Sequence, residues 1–221
     1  MVTSGGTREK IDEVRSITNS SSGELGSLIC DRLADLADCE KVFYVCGEGA
    51  MLPQNDKAEI IQVSSAGSAL DAVKYILLNN NIGAVIHAMA VSDYRVKSIQ
   101  VANGLELDCG RKINSSEKQL ILVLESAPKI IPVFSELAPD ALLVGFKLLY
   151  NVTREELIDE AYNILQKNSC SFVIANDKKF ITKTKHRAYL VDKNKDYIEF
   201  ETKNEIADGI VNKLESMLRK R

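Results

Sequence analysis

The sequence predicts an α/β protein, a three-layer αβα domain whose central sheet is mostly parallel. Two observations predict this class. Short apolar runs typical of buried strands recur along the chain, and amphipathic stretches typical of helices separate them. Runs that are apolar throughout indicate strands buried on both faces, as in parallel sheets covered by helices. No linker interrupts the pattern, so one domain is expected over residues 1–221.

The chain opens with a short extended segment followed by a long polar loop. Residues 2–26 contain many glycine, hydroxyl and charged residues, whereas most connections in compact domains are far shorter. Three apolar residues at helix-like spacing, Ile11, Val14 and Ile17, indicate that this loop is structured. A helix is predicted over 23–37 because its apolar residues share one face. These residues are Leu25, Leu28, Ile29, Leu33 and Leu36.

The next part of the chain alternates between strands and a helix. Buried strands are predicted at 41–46 and 84–89, and a shorter strand at 59–63. Ser68 and Asp71 resemble a capping box, which predicts a helix that continues to Asn79.

A polar segment at 92–119 interrupts this alternation. Ile99 and Val101 alternate with polar neighbours, which is typical of a half-buried strand. We therefore expect a flap or a small β arm in this segment, outside the core.

The alternation of strands and helices then returns. Strands are predicted at 120–125, 141–149 and 171–177. The first is expected to lead into a helix through Leu137, and the second into a helix capped by Thr153 and Glu156.

The C-terminal part predicts a hairpin and a last helix. Two β-rich runs, 187–192 and 197–201, flank the turn residues 193–195. Thr202 and Glu205 are placed to cap the helix that follows. Its inward-facing residues are Ile206, Ile210, Val211, Leu214 and Leu218.

The composition limits the possible classes of function. Hydrophobic residues make up 45% and charged residues 27% of the chain, which is ordinary for a globular protein. With a formal net charge of -3, binding to nucleic acid or to an anionic membrane is not expected. No apolar run approaches the ~18 residues of a membrane span. The N-terminus lacks the basic-then-apolar order of a signal peptide.

The cysteines argue for a reducing compartment. They stand at positions 30, 39, 46, 109 and 170, an odd number without C-x-x-C spacing. This pattern argues against a disulfide framework and against a zinc site, so we expect a cytoplasmic protein. The two histidines are too few for a histidine-rich metal site.

Glycine and hydroxyl residues lie on both sides of the opening loop. Ser4-Gly5-Gly6-Thr7 follow the first strand, and Ser20-Ser21-Ser22-Gly23 lead into the first helix. Glycines let backbone N–H groups approach a ligand, and a helix N-terminus favours negative charge, so the two stretches suit a polyphosphate or a phosphorylated substrate. Equally well, Gly5-Gly6 could form a tight turn and Ser22 could cap the helix. The G-x-G-x-x-G and G-x-x-x-x-G-K-[ST] fingerprints are absent, which argues against ordinary dinucleotide-binding and P-loop proteins.

Other polar residues follow the strands, at the edge where open α/β sheets bind ligands. Asp93 follows strand 84–89 and suits a ribose hydroxyl or a metal, although such a residue is more often a helix cap or half of a surface ion pair. Lys112 lies in the flap, where a lysine is usually solvated but can close over phosphates. His87 and Phe146 lie inside predicted strands, so both are expected in the core.

The residues Ser4 to Gly26, SGGTREKIDEVRSITNSSSGELG, resemble the opening motif of the phosphopantothenate–cysteine ligases. The family pattern is G-G-T-R-E-x-I-D-x-V-R-x-I-S-N-x-S-S-G-x-x-G. The stretches AMAVSDYRV, RKINSS, VGFK and VIAND follow in the family's order. The resemblance covers nearly the whole chain without the flavin-dependent decarboxylase half that many bacterial members carry, so it is to the stand-alone bacterial type.

This resemblance implies a Rossmann-like sheet and a ligase of coenzyme A biosynthesis that joins 4'-phosphopantothenate to L-cysteine. In that family the substrate carboxylate attacks the α-phosphorus of a nucleoside triphosphate, which releases pyrophosphate and gives an acyl-nucleotidyl intermediate. The cysteine amine then displaces the nucleoside monophosphate. The resemblance also implies Mg2+ with the triphosphate, CTP in preference to ATP, no FMN, a homodimer formed through the arm, and a separate phosphopantothenoylcysteine decarboxylase in the pathway.

Matching the family's motifs implies roles for particular residues. Asn19 is expected at the acyl phosphate, Arg15 is expected to neutralise charge beside it, and Lys112 is expected to face the phosphates. Asp93 matches a nucleotide-binding position and is the candidate magnesium ligand. The other nucleotide-binding positions implied are Gly5, Gly6, Ser21, Gly23, His87, Ala88, Met89, Ser126, Ala127, Pro128, Lys129, Phe146 and Lys167.

The chain departs from the family's pattern in two places, and two other functions compete. Thr18 replaces a serine, and Asn163 replaces a lysine that many members carry four residues before position 167. The alternative function is a nucleotide-binding regulatory protein that has lost catalysis, against which Asn19, Asp93 and Lys112 argue. A nicotinamide-dependent dehydrogenase is the other, against which the absent fingerprint argues.

Overall fold

The computed structural model describes residues 1–102, 104–108, 110–114, 118–182 and 184–220. Its first elements are β1 (Val2–Ser4), β2 (Arg8–Lys10), β3 (Ser16–Thr18), α1 (Glu24–Ala34), β4 (Val42–Gly47), β5 (Ala58–Val63), α2 (Ala66–Asn79) and β6 (Ala84–His87). They are followed by β7 (Tyr94–Val101), β8 (Leu120–Ser126), α3 (Ile131–Leu137), β9 (Leu142–Leu149), α4 (Arg154–Lys167), β10 (Phe172–Asp177), β11 (Ala188–Val191), β12 (Tyr197–Phe200) and α5 (Lys203–Leu218).

The central sheet has eight strands in the order β12-β11-β10-β9-β6-β1-β4-β5. The six strands from β10 to β5 pair in parallel, whereas β11 and β12 are antiparallel. The chain moves outward from β1 through β4 and β5 and then returns to β6 on the other side. Such a reversal between β1 and β6 is the point at which doubly wound sheets bind ligands.

Helices cover both faces of the sheet, as the sequence predicts. One core cluster joins the sheet to α2, α3 and α4 through residues such as Val73, Phe134 and Leu157. The other joins it to α1 and α5 through residues such as Ile29 and Ile206. The prediction of a three-layer αβα, Rossmann-like domain is therefore confirmed.

The predicted helix caps are mostly confirmed. Thr153 and Thr202 each form a reciprocal capping box with the glutamate three residues later. The predicted cap of α2 is wrong by three residues: Ser65 is the N-cap, and Ser68 is its partner inside the helix. In α5, Leu218 is not fully inward, since it is 39% exposed.

The strand predicted at 120–125 does not belong to the central sheet. It forms β8, which pairs antiparallel with β7 in a separate two-stranded sheet, from Tyr94 opposite Ser126 to Val101 opposite Leu120. The arm therefore extends to Ser126 instead of ending at residue 119. Its run of apolar residues is only half-buried, because Ile121 and Leu124 are exposed on the arm.

The opening loop folds as a β-hairpin. Strands β2 and β3 pair antiparallel, from Arg8 opposite Thr18 to Lys10 opposite Ser16. The helix-like spacing of apolar residues in this loop is therefore misleading, and Val14 is exposed at the turn. The expectation of a structured loop is nevertheless confirmed.

Within the described ranges, no helix is long and apolar enough to cross a membrane. The described cysteines, at positions 30, 39, 46 and 170, are free. Cys109, and Ser115 and Ser116 of the RKINSS stretch, lie outside the described residues.

Candidate active site

The glycine loop lies at the carboxyl end of β1, beside the reversal of the sheet. Gly5 has φ +73°, and a Cβ there would lie 2.6 Å from Cβ of Ala50. A Cβ on Gly6 would lie 2.5 Å from the carbonyl oxygen of Asn19. Glycine is therefore required at Gly5 by its positive φ and the close Ala50 side chain, and at Gly6 by the close Asn19 backbone.

The N-terminus of α1 meets the same loop. Its N-cap is Gly23, which has φ 73° and offers no side-chain cap. Ser22 Oγ accepts the N–H of Glu24 at 3.4 Å, so Ser22 satisfies one donor of the first turn, as the alternative interpretation expected, although Gly23 occupies the N-cap position. Ser4 Oγ donates to the Gly23 carbonyl at 3.0 Å and holds the helix end against β1. The other N–H groups of the first turn, and the positive end of the helix dipole, thus remain suited to an anion.

Asn19 connects the loop before α1 to the turn after β6. Its Nδ2 donates to the carbonyl oxygen of Ala90 at 3.1 Å. The N–H of Thr7 donates to the same oxygen at 3.2 Å, and the N–H of Ala90 donates to Gly5 at 2.8 Å. Hydrogen bonds therefore connect the segments that follow β1 and β6. The N–H of Ser21 donates to the carbonyl oxygen of Asn19, so Ser21 lies in the same network.

His87 is a structural residue. Its Nδ1 lies 2.7 Å from Thr3 Oγ1, and its ring packs edge-on against Phe134 with centroids 5.1 Å apart. Burial lowers the pKa of His87 to about 4, so the imidazole is neutral. The neighbouring backbone N–H groups are also occupied. The N–H of Ala88 donates to the Thr3 carbonyl at 3.0 Å, and the N–H of Met89 donates to the Thr3 hydroxyl oxygen at 3.4 Å. A ligand at this turn would therefore donate hydrogen bonds to backbone carbonyl groups.

The base of the arm brings together Asp93 and the 126–129 turn. The Asp93 carboxylate pairs with Lys129 Nζ, and the Asp93 carbonyl accepts the N–H of Ala127 at 2.9 Å. Ser126 ends β8 opposite Tyr94, which places Pro128 in the same turn. Five of the predicted nucleotide-binding residues are thus neighbours, and the carboxylate and the ammonium group are both exposed.

Asp93 fits magnesium only in part. A carboxylate is the ligand type that Mg2+ prefers, and Mg2+ at phosphoryl sites usually takes one or two carboxylates with substrate phosphates and water. Across the described ranges there is no group of three or more His, Cys, Asp or Glu residues that could hold a metal. An ion at Asp93 would therefore need the phosphates for much of its coordination.

The flap is attached to the turn of the β2–β3 hairpin. The Arg15 guanidinium donates to the carbonyl oxygen of Ile113 at 2.9 Å, and its Nε lies 3.5 Å from the Asp12 carboxylate. Lys112, the residue before Ile113, is exposed. The charge of Arg15 is therefore largely offset by Asp12, which differs from the role that the resemblance implies for Arg15.

Lys167 is not brought to this edge of the sheet. Helix α4 begins beside the carboxyl end of β9 and runs back, so its last residue, Lys167, lies about 20 Å from Thr153 at the opposite end. Asn163 lies one turn earlier on the same helix. Phe146 is half-buried near the end of β9 and packs against the α1–α5 core cluster, as expected of a core residue.

A cavity of about 800 Å³ lies at the amino end of the sheet and not at this edge. Its lining includes Met1, Val42, Ala84 and Leu218, and it contains none of the predicted site residues.

Sequence reasoning did not predict the structural contacts of three polar residues, Asp12, Thr7 and Asp177. Asp12 is only 1% exposed although it lies in a charged loop. Thr7 Oγ1 donates to Ser92 Oγ at 3.0 Å and accepts the Ser92 N–H at 2.8 Å. Asp177 accepts the N–H of Asn151 at 2.9 Å and thereby holds the turn before α4. Thr7 and Asp12 belong to the opening motif, which was the available signal.

The fold and the site together define a class: a doubly wound α/β protein with a glycine loop and a helix N-terminus at the reversal of its sheet. A family model described as the DNA/pantothenate metabolism flavoprotein C-terminal domain matches residues 1–218, and the chain belongs to this family. The coenzyme A biosynthesis bifunctional protein CoaBC of Thermococcus kodakarensis is 32% identical over 219 residues, which are 99% of this chain and 51% of that protein. The CoaBC protein of Methanocaldococcus jannaschii is 31% identical, with the same coverage. The chain thus spans about half the length of these relatives.

Solved structures agree with this assignment. The DNA/pantothenate metabolism flavoprotein of Streptococcus pneumoniae matches with a TM-score of 0.87 and 34% identity, over 98% of this chain and 97% of that one. The C-terminal domain of a CoaBC protein matches with a TM-score of 0.75 and 29% identity, over 100% of this chain and 95% of that one. A Cab2 mutant in complex with phosphopantothenate-cysteine matches with a TM-score of 0.72 but only 19% identity, over 99% of this chain and 87% of that one. This match supports the fold alone. The family assignment drawn from the sequence motifs is confirmed.

Proposed function

We propose that this chain is a ligase of coenzyme A biosynthesis that joins 4'-phosphopantothenate to L-cysteine at the expense of a nucleoside triphosphate. The observation that carries the proposal is the convergence of the glycine loop, Asn19 and the α1 N-terminus beside the reversal of the sheet. Backbone N–H groups in this arrangement suit phosphate oxygens. Membership in the pantothenate-metabolism family supports the same substrates.

The reaction brings two anions together. The carboxylate of phosphopantothenate attacks the α-phosphorus, pyrophosphate leaves, and the cysteine amine then attacks the acyl carbon and releases the nucleoside monophosphate. Asn19 Nδ2 has two N–H groups and uses one for Ala90, so the second can donate to the acyl phosphate. Lys112 supplies positive charge to the phosphates, and such preorganised donors stabilise the charge that develops. Magnesium bound with the triphosphate would offset part of its charge, with Asp93 as a ligand.

The nucleotide is proposed to be CTP. Since the N–H groups of Ala88 and Met89 are occupied, the base would be read by carbonyl groups, which accept from an exocyclic amine. Cytosine and adenine both carry such an amine, so discrimination would rest on size. A purine would need more room beside the Ala127-Pro128 turn. Equal kcat/KM values for CTP and ATP under identical conditions would contradict this proposal.

Partners and assembly follow from the same proposal. The arm exposes apolar residues, Tyr94, Ile121 and Leu124, which suit pairing with a second copy in a homodimer. A phosphopantothenoylcysteine decarboxylase is expected to use the product. The free cysteines fit a reducing cytoplasm.

The deciding experiment measures pyrophosphate release from the purified chain with 4'-phosphopantothenate, L-cysteine, Mg2+ and CTP, each omitted in turn. We expect pyrophosphate release to require phosphopantothenate and nucleotide, and amide-bond formation to require cysteine as well. Lys112→Ala should lower turnover by about 10²–10³-fold, whereas Lys74→Ala, on the exposed face of α2, should not. Nucleotide binding without pyrophosphate release would instead support the regulatory protein.

A further inference from the structure

Asp12 is a buried acidic residue in the turn of the β2–β3 hairpin. Its Oδ1 accepts the N–H groups of Val14 at 2.8 Å and Arg15 at 2.7 Å, which form the turn itself. Its Oδ2 accepts the N–H of Ile113 at 3.2 Å, 101 residues away in sequence. These backbone donors, Val14 foremost, hold the pKa of the Asp12 carboxyl below its ordinary value, so the group is ionised at neutral pH.

Arg15 completes the attachment. Its guanidinium donates to the Ile113 carbonyl at 2.9 Å, while the Asp12 carboxylate accepts from the Ile113 N–H. Both backbone polar groups of Ile113 are therefore held by one ion-paired couple of side chains. Ile113 itself is only 5% exposed, so an apolar contact adds to the two hydrogen bonds. Lys112 is the next residue, and its position is limited by this attachment.

We propose that Asp12 is a positioning residue for the ligase reaction: through Ile113 it fixes the flap so that Lys112 is presented to the phosphates. The inference rests on the proposed function, because it requires Lys112 to act there. An unattached flap would have to be ordered in every turnover, and the loss of conformational entropy would then lower kcat.

The substitution Asp12→Asn separates the two jobs of this side chain. The amide oxygen can still accept from Val14 and Arg15, but an NH2 group in place of Oδ2 cannot accept from Ile113 or pair with Arg15. We expect kcat to fall by about 10- to 100-fold, with KM for the nucleotide changed much less. Asp31→Asn is the matched control, because Asp31 likewise accepts two backbone N–H groups, from Gln54 and Asn55, away from the site.

A double-mutant cycle decides whether Asp12 acts through Lys112. If it does, Asp12→Asn should have little further effect on kcat in a Lys112→Ala background. An equal fold-loss in both backgrounds would overturn the inference while leaving the ligase activity of the wild type intact. If Lys112→Ala turns over like wild type, both the inference and the role of Lys112 fail, whereas the substrate requirements still test the ligase.

Amide hydrogen exchange gives an independent readout. In Asp12→Asn, exchange at residues 110–114 should become faster, while the Tm should stay close to that of Asp31→Asn. Unchanged exchange in this segment would overturn the inference even if kcat fell.

Discussion

Asn19→Asp is the sharpest test of the proposed chemistry, because the two side chains have the same shape and differ in charge and donor capacity. The amide of Asn19 donates to the Ala90 carbonyl at 3.1 Å, and the backbone of Asn19 packs against Gly6 of the glycine loop. A carboxylate would lose both donors and bring a negative charge to a site that is proposed to bind two anions. The side chain is exposed, so the fold should tolerate the change.

The expected magnitudes differ strongly for stability and for activity. Loss of one exposed neutral hydrogen bond should cost about 1 kcal/mol of unfolding free energy. A carboxylate about 5 Å from a phosphate charge, at an effective dielectric constant of about 20, costs about 3 kcal/mol. Loss of a transition-state donor adds about 10²–10³-fold in rate. We therefore expect kcat/KM to fall by about 10³-fold or more, with only a small change in Tm.

The assay is pyrophosphate release measured beside thermal unfolding. Asn79→Asp is the matched control, because Asn79 Nδ2 also donates to a backbone carbonyl, that of Tyr75 at 2.7 Å, at the end of α2. Asn19→Ala separates loss of the donor from gain of charge, and should be less impaired than Asn19→Asp. If Asn19→Asp and Asn79→Asp have similar kcat/KM values, the placement of Asn19 at the acyl phosphate is refuted.

Two further predictions concern assembly and pH. Light scattering should give twice the mass of one chain. Leu124→Lys on the arm should lower the measured mass, whereas Leu78→Lys, on the exposed face of α2, should not. A wild-type monomer at micromolar concentration would contradict the dimer. Burial, with a smaller contribution from the Lys203 charge, lowers the pKa of His186 from 6.5 to about 4, so the unfolded chain binds this proton more readily than the folded one. The free energy of unfolding should therefore fall as the pH drops below 6.5, by about 2 kcal/mol from His186 at pH 5. His186→Gln should show a smaller decrease in Tm between pH 7 and pH 5 than the wild type. An equal decrease in both proteins would contradict the lowered pKa of His186.

The parts of the fold that were predicted correctly depend on local sequence. The capping boxes at Thr153 and Thr202 are confirmed because both partners lie within one turn of each other. The arm was only partly predicted, because β8 has the apolar composition of a central strand. Its partner is set by the tertiary structure: β8 pairs with β7 and leaves Ile121 and Leu124 exposed, which periodicity alone does not reveal.

The site was predicted correctly where residues belong to a motif or follow the carboxyl end of a strand. The glycine loop and the neighbourhood of Asp93 and Lys129 follow from residues placed after strands. The position of Lys167 at the far end of α4 could have been predicted by the same reasoning, since a helix that follows a parallel strand returns to the opposite end of the sheet. Asp12 could not have been singled out from its charge, because a charged residue in a polar loop usually faces solvent.

Most of the described charged side chains near the proposed anion site are paired within the protein. Arg15 is paired with Asp12, and Lys129 with Asp93, so these couples add little net positive charge. In the proposed function, the attraction for two anionic substrates would come from backbone N–H groups and from side chains outside these pairs, such as Lys112. Backbone donors converge on a ligand only if the chain folds closely around it, and the contacts at Gly5 and Gly6 are of that kind. The close packing at Gly5 and Gly6 would serve the proposed anion site, whereas residues 8–18 fold as the β2–β3 hairpin, whose turn holds Ile113 of the flap through Asp12 and Arg15.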